Sequence, residues 1–176
     1  MTVKNTPAKV RVNNVDQIVE LNDTETLRNK TLVLPVISGI KESWTVSASG
    51  ITTSTLDVSS STAFLFTGVT SGPWTPNFGD ASSTSAATSV NTLLAVNGSI
   101  SQSMTVTVVA NVANSSHYSH QIQIDGQTAF TPNWQGGVVP GAASGSAGAY
   151  DAYTYTIIKT ASATYTVFAS KTKFDT

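Results

Sequence analysis

Residues 150–170 read YDAYTYTIIKTASATYTVFAS, and two alternations run through them. Tyr153, Tyr155 and Ile157 alternate with Thr154 and Thr156; Tyr165, Val167 and Ala169 then alternate with Thr164, Thr166 and Phe168. A period of two places one set of side chains on each face of an extended strand, whereas a helix would need its apolar residues three and four apart. The run therefore predicts a closing β-hairpin with one buried face. The same rhythm recurs upstream. SMTVTVVANV sets Met104, Val106 and Val108 against Thr105, Thr107 and Val109, and HQIQI points Ile122 and Ile124 inward. Asp125-Gly126, which follows, is the strongest two-residue hairpin signal in the chain. SWTVSAS carries Trp44, Val46 and Ala48 on one face, and TSTLDVS and TAFLFTGV follow between Ser/Gly turns. Short strands at this spacing, about eight to ten of them without a convincing helix, predict an all-β fold: an antiparallel β-sandwich or jelly roll.

Two segments interrupt the rhythm. Ser71 to Asn91 is rich in Pro, Gly and Ser, and Gln135 to Ala149 is rich in Gly and Ala; both are expected to be loops. Connections this long in a small domain are usually functional or disordered. Toward the N-terminus, KVRVNNVDQIVEL predicts one or two strands with a turn at Asn13-Asn14. Asn22 to Lys30 has room for a single helical turn capped by Asn22 or Asp23, and TLVLP for a strand ending at Pro35. No heptad pattern appears, which argues against a coiled-coil shaft. The organisation expected is a charged, extended N-terminal arm over residues 1–42 and a β-sandwich domain over 43–176.

Charge is scarce and unevenly placed. Only 11% of residues are charged, and there is no Lys or Arg between Lys41 and Lys159. Lys4, Lys9, Arg11, Arg28, Lys30 and Lys41 precede Ser43, interspersed with Asp16, Glu20, Asp23, Glu25 and Glu42. Nucleic-acid binding draws on clustered cations that neutralise phosphates, and the body offers none, so no nucleic-acid partner is expected. Ser and Thr, more than a quarter of the chain, supply its polarity. A disordered chain would lack the β-branched alternation seen here; the hydroxyls are instead the outward positions of strands. Cys is absent, which excludes disulfides and thiolate chemistry. The N-terminal MTVKNTPAKVRVNN has no apolar core of a signal peptide, so synthesis in a cytoplasm is expected. TLVLPVISGI, broken by Pro35, is too short for a membrane span.

Catalytic patterns are weak. His117 and His120 are the only histidines, and strand positions three apart face opposite ways. With Asp125 they name two metal ligands at most, fewer than a zinc site needs. No GxSxG elbow, HExxH helix or phosphate loop is present, and Asp57, Asp80, Asp125 and Asp151 are isolated in sequence. No catalytic residue, metal ligand or cofactor is expected. Trp74, Phe78, Trp134 and Tyr150, in or beside the two long loops, are the serious candidates, since exposed rings anchor protein interfaces or stack on sugars. Each has a core alternative. For Trp134 that alternative is favoured: the ring folds back over the core while Gly136 and Gly137 turn the chain with positive φ. For Trp74 and Phe78 both readings stand, and Pro73 and Pro76 make Trp74 the expected surface residue. Lys4, Lys9, Arg11, Arg28 and Lys30 complete the interface candidates.

One stretch adds a resemblance. WQGGVVPG at Trp134 to Gly141, the run with Asp151, Tyr153 and Tyr155, and TVFAS at Thr166 to Ser170 resemble a module of structural proteins of tailed bacteriophages, particularly those of cyanobacteria and marine bacteria. The likeness extends more weakly through SQSMTVTVVANV and HQIQIDGQ, covering the C-terminal half. It implies a virion component made in a host cytoplasm. The reading expected from it is a non-enzymatic capsid decoration, or cement, protein that binds the major capsid protein through the charged arm and associates with copies of itself. The alternative is a tail-fibre or receptor-binding tip module that recognises host surface glycan or protein through the Trp74 and Trp134 loops.

Overall fold

The alternating C-terminal run folds, in the computed structural model, as two long paired strands. The structure describes residues 9–12, 15–18, 42–52, 55–79, 89–94, 96–97, 100–143 and 148–174. The chain divides into two compact units, Met1–Ile40 and Lys41–Thr176. In the first, β1 (Lys9–Val12) and β2 (Val15–Ile18) pair antiparallel, with Val12 opposite Val15; the turn expected at Asn13-Asn14 lies outside the described residues. Lys9 and Arg11 belong to β1. Lys4, Arg28 and Lys30, the expected helical turn at Asn22 to Lys30 and the TLVLP strand lie outside the described residues.

The second unit is built of β3 (Trp44–Ser47), β4 (Thr55–Asp57), β5 (Ala63–Val69), β6 (Asn77–Gly79), a single helical turn α1 (Val90–Leu93), β7 (Val96–Asn97), β8 (Ile100–Ser101), β9 (Ser103–Asn111), β10 (Gln123–Ile124), β11 (Asn133–Trp134), β12 (Tyr150–Ala161) and β13 (Thr164–Phe174). Six strands form one sheet in the order β11-β13-β12-β9-β5-β3; three form another, β10-β6-β4; β7 and β8 pair by themselves. The fold is all-β, as the alternation required. No helix among the described residues is long and apolar enough to cross a membrane.

Uniform antiparallel pairing is corrected. β12 runs antiparallel to β13 and β9, but β5 is parallel to both β9 and β3, β11 is parallel to β13, and both pairs of the small sheet are parallel. The cause is the path of the chain. From β3 to β6 successive strands alternate between the two sheets, so each return to a sheet follows two reversals of direction and enters parallel to the strand left behind. The tight turn from Ala161 to Thr164 makes β12 and β13 antiparallel, whereas β12 reaches its antiparallel place beside β9 only after the long path through β10 and β11.

The core lies on one face of the large sheet. Val106, Val108 and Ala110 of β9, Tyr153, Tyr155 and Ile157 of β12, Val167 and Ala169 of β13 and Phe64 and Phe66 of β5 are all buried there. Leu56, Phe78 and Ile124 of the small sheet belong to the same core. Burying a side chain of this size contributes about 1.5–3 kcal/mol, so this shared face dominates the stability. A register shift after Phe66 bends β5, and Gly68 makes the bend possible. A Cβ there would lie 2.4 Å from the Ala48 carbonyl oxygen and 2.6 Å from the Gly50 nitrogen.

Candidate functional site

The expectation that Ser71 to Asn91 is wholly irregular, with Trp74 at its surface, is overturned. β6 lies within it, flanked on both sides by strands of the small sheet, and α1 begins at its end. Phe78 is fully buried in the middle of β6, its ring 5.1 Å from that of Tyr155. Trp74 is 2% exposed and meets Tyr153 edge to face, with ring centroids 4.9 Å apart. Backbone pairing explains the order around it: Trp74 donates its amide to the Tyr118 carbonyl, and the Pro76 carbonyl accepts from Gln123 at 2.8 Å. Pro76 has no amide to donate, but its carbonyl is used in this pairing.

Trp134 behaves as its favoured reading required. It is buried, its ring stands edge-on to those of Tyr153 and Tyr155, and its indole N–H donates to the His120 carbonyl at 3.3 Å. Gly136 and Gly137 take φ of 73° and 70°, turning the chain as expected. Tyr150, beside the long loop as expected, is half-buried as the first residue of β12. Three of the four aromatic candidates therefore join Tyr153 and Tyr155 in one interior cluster.

Two polar assemblies pin loops to this core. Asp151, fully buried, receives the Lys171 ammonium at 3.1 Å and the Tyr153 hydroxyl at 3.4 Å. Lys171 also donates to the Ala142 carbonyl, and Lys173 to that of Ala143 at 3.1 Å. The lysines of β13 thus fasten residues 142–143, in the glycine-rich connection, to the sheet. Burial, and then the charge of Asp151, push the Tyr153 phenol well above its ordinary range; burial alone dominates the same upward shift at Tyr155.

In the second assembly Asp125, at φ 50° beside Gly126 at φ 71°, makes a tight turn closed by the Gln127 amide on the Ile124 carbonyl at 3.0 Å; the two-residue hairpin expected there is corrected, because β10 pairs with β6 and only a single bridge, Ile122 to Phe130, spans the turn. Its carboxylate also accepts from the amides of Val90 and Asn91, at 2.8 and 2.9 Å, and from the Tyr165 hydroxyl at 3.3 Å. Lys159 donates to the carbonyls of Asn91 and Leu94 at the other end of the turn. α1 is thus held at both ends by the long hairpin and the Asp125 turn. Burial, then the Asp125 charge, raise the Tyr165 phenol. Both carboxylates are thus engaged by groups of the fold itself. Among the described residues no group of three His, Cys, Asp or Glu side chains is placed to hold a metal.

The face of the large sheet away from the core has a different character. Register aligns Asn133, Phe168, Thr156 and Thr105 in one row across it. Ser170, Thr154, Thr107, Ala63 and Trp44 form the next, and Thr172, Ala152, Val109, Leu65 and Val46 the third. None of these residues is charged. At the β11 end a cleft of about 410 Å³ opens among Asn133, Gln135, Thr154, Thr156, Phe168 and Ser170. Phe168 is 52% exposed there, and Val138 and Val139 stand exposed in the adjoining loop at 74% and 45%. A smaller cleft of about 210 Å³, lined in part by Gln135, Val138, Pro140 and Ser170, continues it.

Sequence reasoning placed Phe168 on the outward face but did not single it out as a site. The signal was present: a large aromatic in the outward phase of an alternating strand, flanked in that phase by the hydroxyls of Thr164, Thr166, Ser170 and Thr172. What the sequence did not contain was the parallel placement of β11 beside β13, which supplies Asn133 and Gln135 as the wall. No protein-family model matches this chain, and neither a curated protein nor a solved structure matches it.

Proposed function

We propose that this chain is a non-enzymatic structural protein of a tailed-bacteriophage virion, and that it serves as a capsid decoration protein on the outer surface of the head. The observation that carries the reading is where the residues of the phage-like C-terminal module lie. Trp134, Tyr153 and Tyr155 form the aromatic interior, Gly136 and Gly137 take the left-handed turn, Asp151 holds Lys171, and Val167 and Ala169 are core. The module is committed to making a rigid sheet, which is what a lattice-bound part needs. Its uncharged, hydroxyl-rich outer face supports packing against a shell or against further copies. In this reading the two sheets are the halves of a β-sandwich of jelly-roll type, and residues 1–42 are an arm that anchors it to the major capsid protein.

Particles stripped of the protein and then incubated with purified chain test the proposal. The full chain is expected to rebind to saturation, and a chain lacking residues 1–30 to fold but not to bind. Saturation by the truncated chain would remove the anchoring role of the arm, and failure of the full chain to bind heads would remove decoration itself.

A further inference from the structure

We propose that the cleft beside Phe168 binds a neutral saccharide. This goes beyond decoration and does not depend on it; Trp134 and Ala169 also line the cleft, Trp134 mostly buried beneath it, while Trp74 belongs to the interior. The Phe168 ring projects from the middle of β13, a strand paired on both sides, so the platform is already rigid before any ligand arrives. A pyranose presents one face of C–H bonds, which packs on an aromatic ring, and an equatorial fringe of hydroxyls, which needs donors and acceptors around that ring. The cleft supplies both. Thr156 lies directly opposite Phe168, Thr154 opposite Ser170 one step along, and the amide of Gln135 stands at the wall.

Asn133 is oriented by its own bond, its amide nitrogen donating to the Val167 carbonyl at 3.1 Å, which sets the carbonyl end of the side chain in place. The ligand class follows from charge and size. None of the residues lining the main cleft is ionisable at neutral pH, so nothing there favours a phosphate or a carboxylated sugar over water. The one cation of the continuing cleft, Lys171, is engaged by Asp151 and the Ala142 carbonyl. A volume of about 410 Å³ falls at the small end of ligand sites, about 300–1,000 Å³, and suits a short stretch of sugar rings lying along an open surface. Thr156 already shares a hydrogen bond with Thr105 at 3.4 Å; a wholly apolar partner would cover the polar groups of Thr154, Ser170 and Gln135 without offering them hydrogen bonds.

The test uses the full chain and a panel of neutral hexasaccharides: cellohexaose, maltohexaose, chitohexaose and mannohexaose. Binding is followed by calorimetric titration and by NMR shifts of Phe168, Thr154 and Gln135. At least one member is expected to bind at millimolar concentration or below, with the shifts confined to the β11 end of the outer face. Phe168→Ala is expected to weaken that binding at least tenfold and Thr154→Val several-fold, with unchanged melting temperatures. Trp44→Ala, at the opposite edge of the same face, should leave binding as it was. Absence of binding by every member would overturn the proposal. So would binding that Phe168→Ala does not change, or self-association of the chain through this face that Phe168→Ala abolishes, which would make the patch a protein interface.

Discussion

Truncating Trp74 to Ala should destabilise the Lys41–Thr176 unit by about 3 kcal/mol, although the ring sits between two prolines in a segment that reads as a loop. Deletion of a large buried aromatic costs about 3–5 kcal/mol, and Trp74 at 2% exposure, edge-on to Tyr153 at 4.9 Å, belongs to that class. Its indole N–H has no partner among the described residues. An unsatisfied buried donor costs about 1–3 kcal/mol, a penalty the truncation relieves, which places the change at the low end of the range. Trp134→Ala has no such relief, because its N–H bond to His120 is lost with the ring, and about 4–5 kcal/mol is expected. Trp74→Phe keeps an aromatic ring in the cavity and removes the orphan donor, so it should stay within about 1.5 kcal/mol of the parent. Urea unfolding followed by far-ultraviolet circular dichroism measures all three, with unchanged slopes confirming that only stability has moved. An unfolding midpoint for Trp74→Ala equal to that of the parent, beside a lowered midpoint for Trp134→Ala, would refute the burial and return Trp74 to the surface.

Asp125→Ala should cost about 2–4 kcal/mol, since it strips the acceptors from two α1 amides and puts Ala at a positive φ; Asp125→Asn should recover part of this in the same urea assay. Tyr153, Tyr155 and Tyr165 all have phenols raised above the ordinary 10.0. The folded state then keeps protons that the unfolded chain releases, so stability is full below pH 10 and falls as pH rises above it. The slope should reach about 1.4 kcal/mol per pH unit for each fully buried ring, read from denaturation midpoints between pH 8 and pH 12. Tyr155→Phe should cost at most about 1 kcal/mol at pH 7, because the hydrogen bonding of its buried hydroxyl is confined to Ser119 among the described residues, and should make the alkaline fall shallower. Gly68→Ala should prevent folding or cost several kcal/mol, whereas Gly72→Ala, with nothing within 4 Å, should melt like the parent.

The long alternating strands were legible because a period of two sustained over many residues admits one structure. Val106 and Val108, Tyr153, Tyr155 and Ile157, and Val167 with Ala169 are inward where the pattern put them, and the turns at Asp125-Gly126 and Gly136-Gly137 have the positive φ their composition required. The small sheet was not legible. β4, β6 and β10 are two or three residues long, too short to show a period, and their parallel pairing depends on contacts between segments far apart in sequence. Trp74 was misplaced for the same reason: its partners are Tyr118 and Tyr153, neither of them near it in the chain, while its immediate neighbours are turn formers. Asp151 is isolated in sequence, and only the pairing of β12 with β13 brings Lys171 to it.

Quantitative mass spectrometry of purified virions separated into heads and tails tests decoration most directly. The account predicts that this chain is found with the head fraction, in a constant ratio to the major capsid protein from one preparation to the next. Recovery of a few copies with the tail fraction alone, or its absence from both fractions, would contradict it.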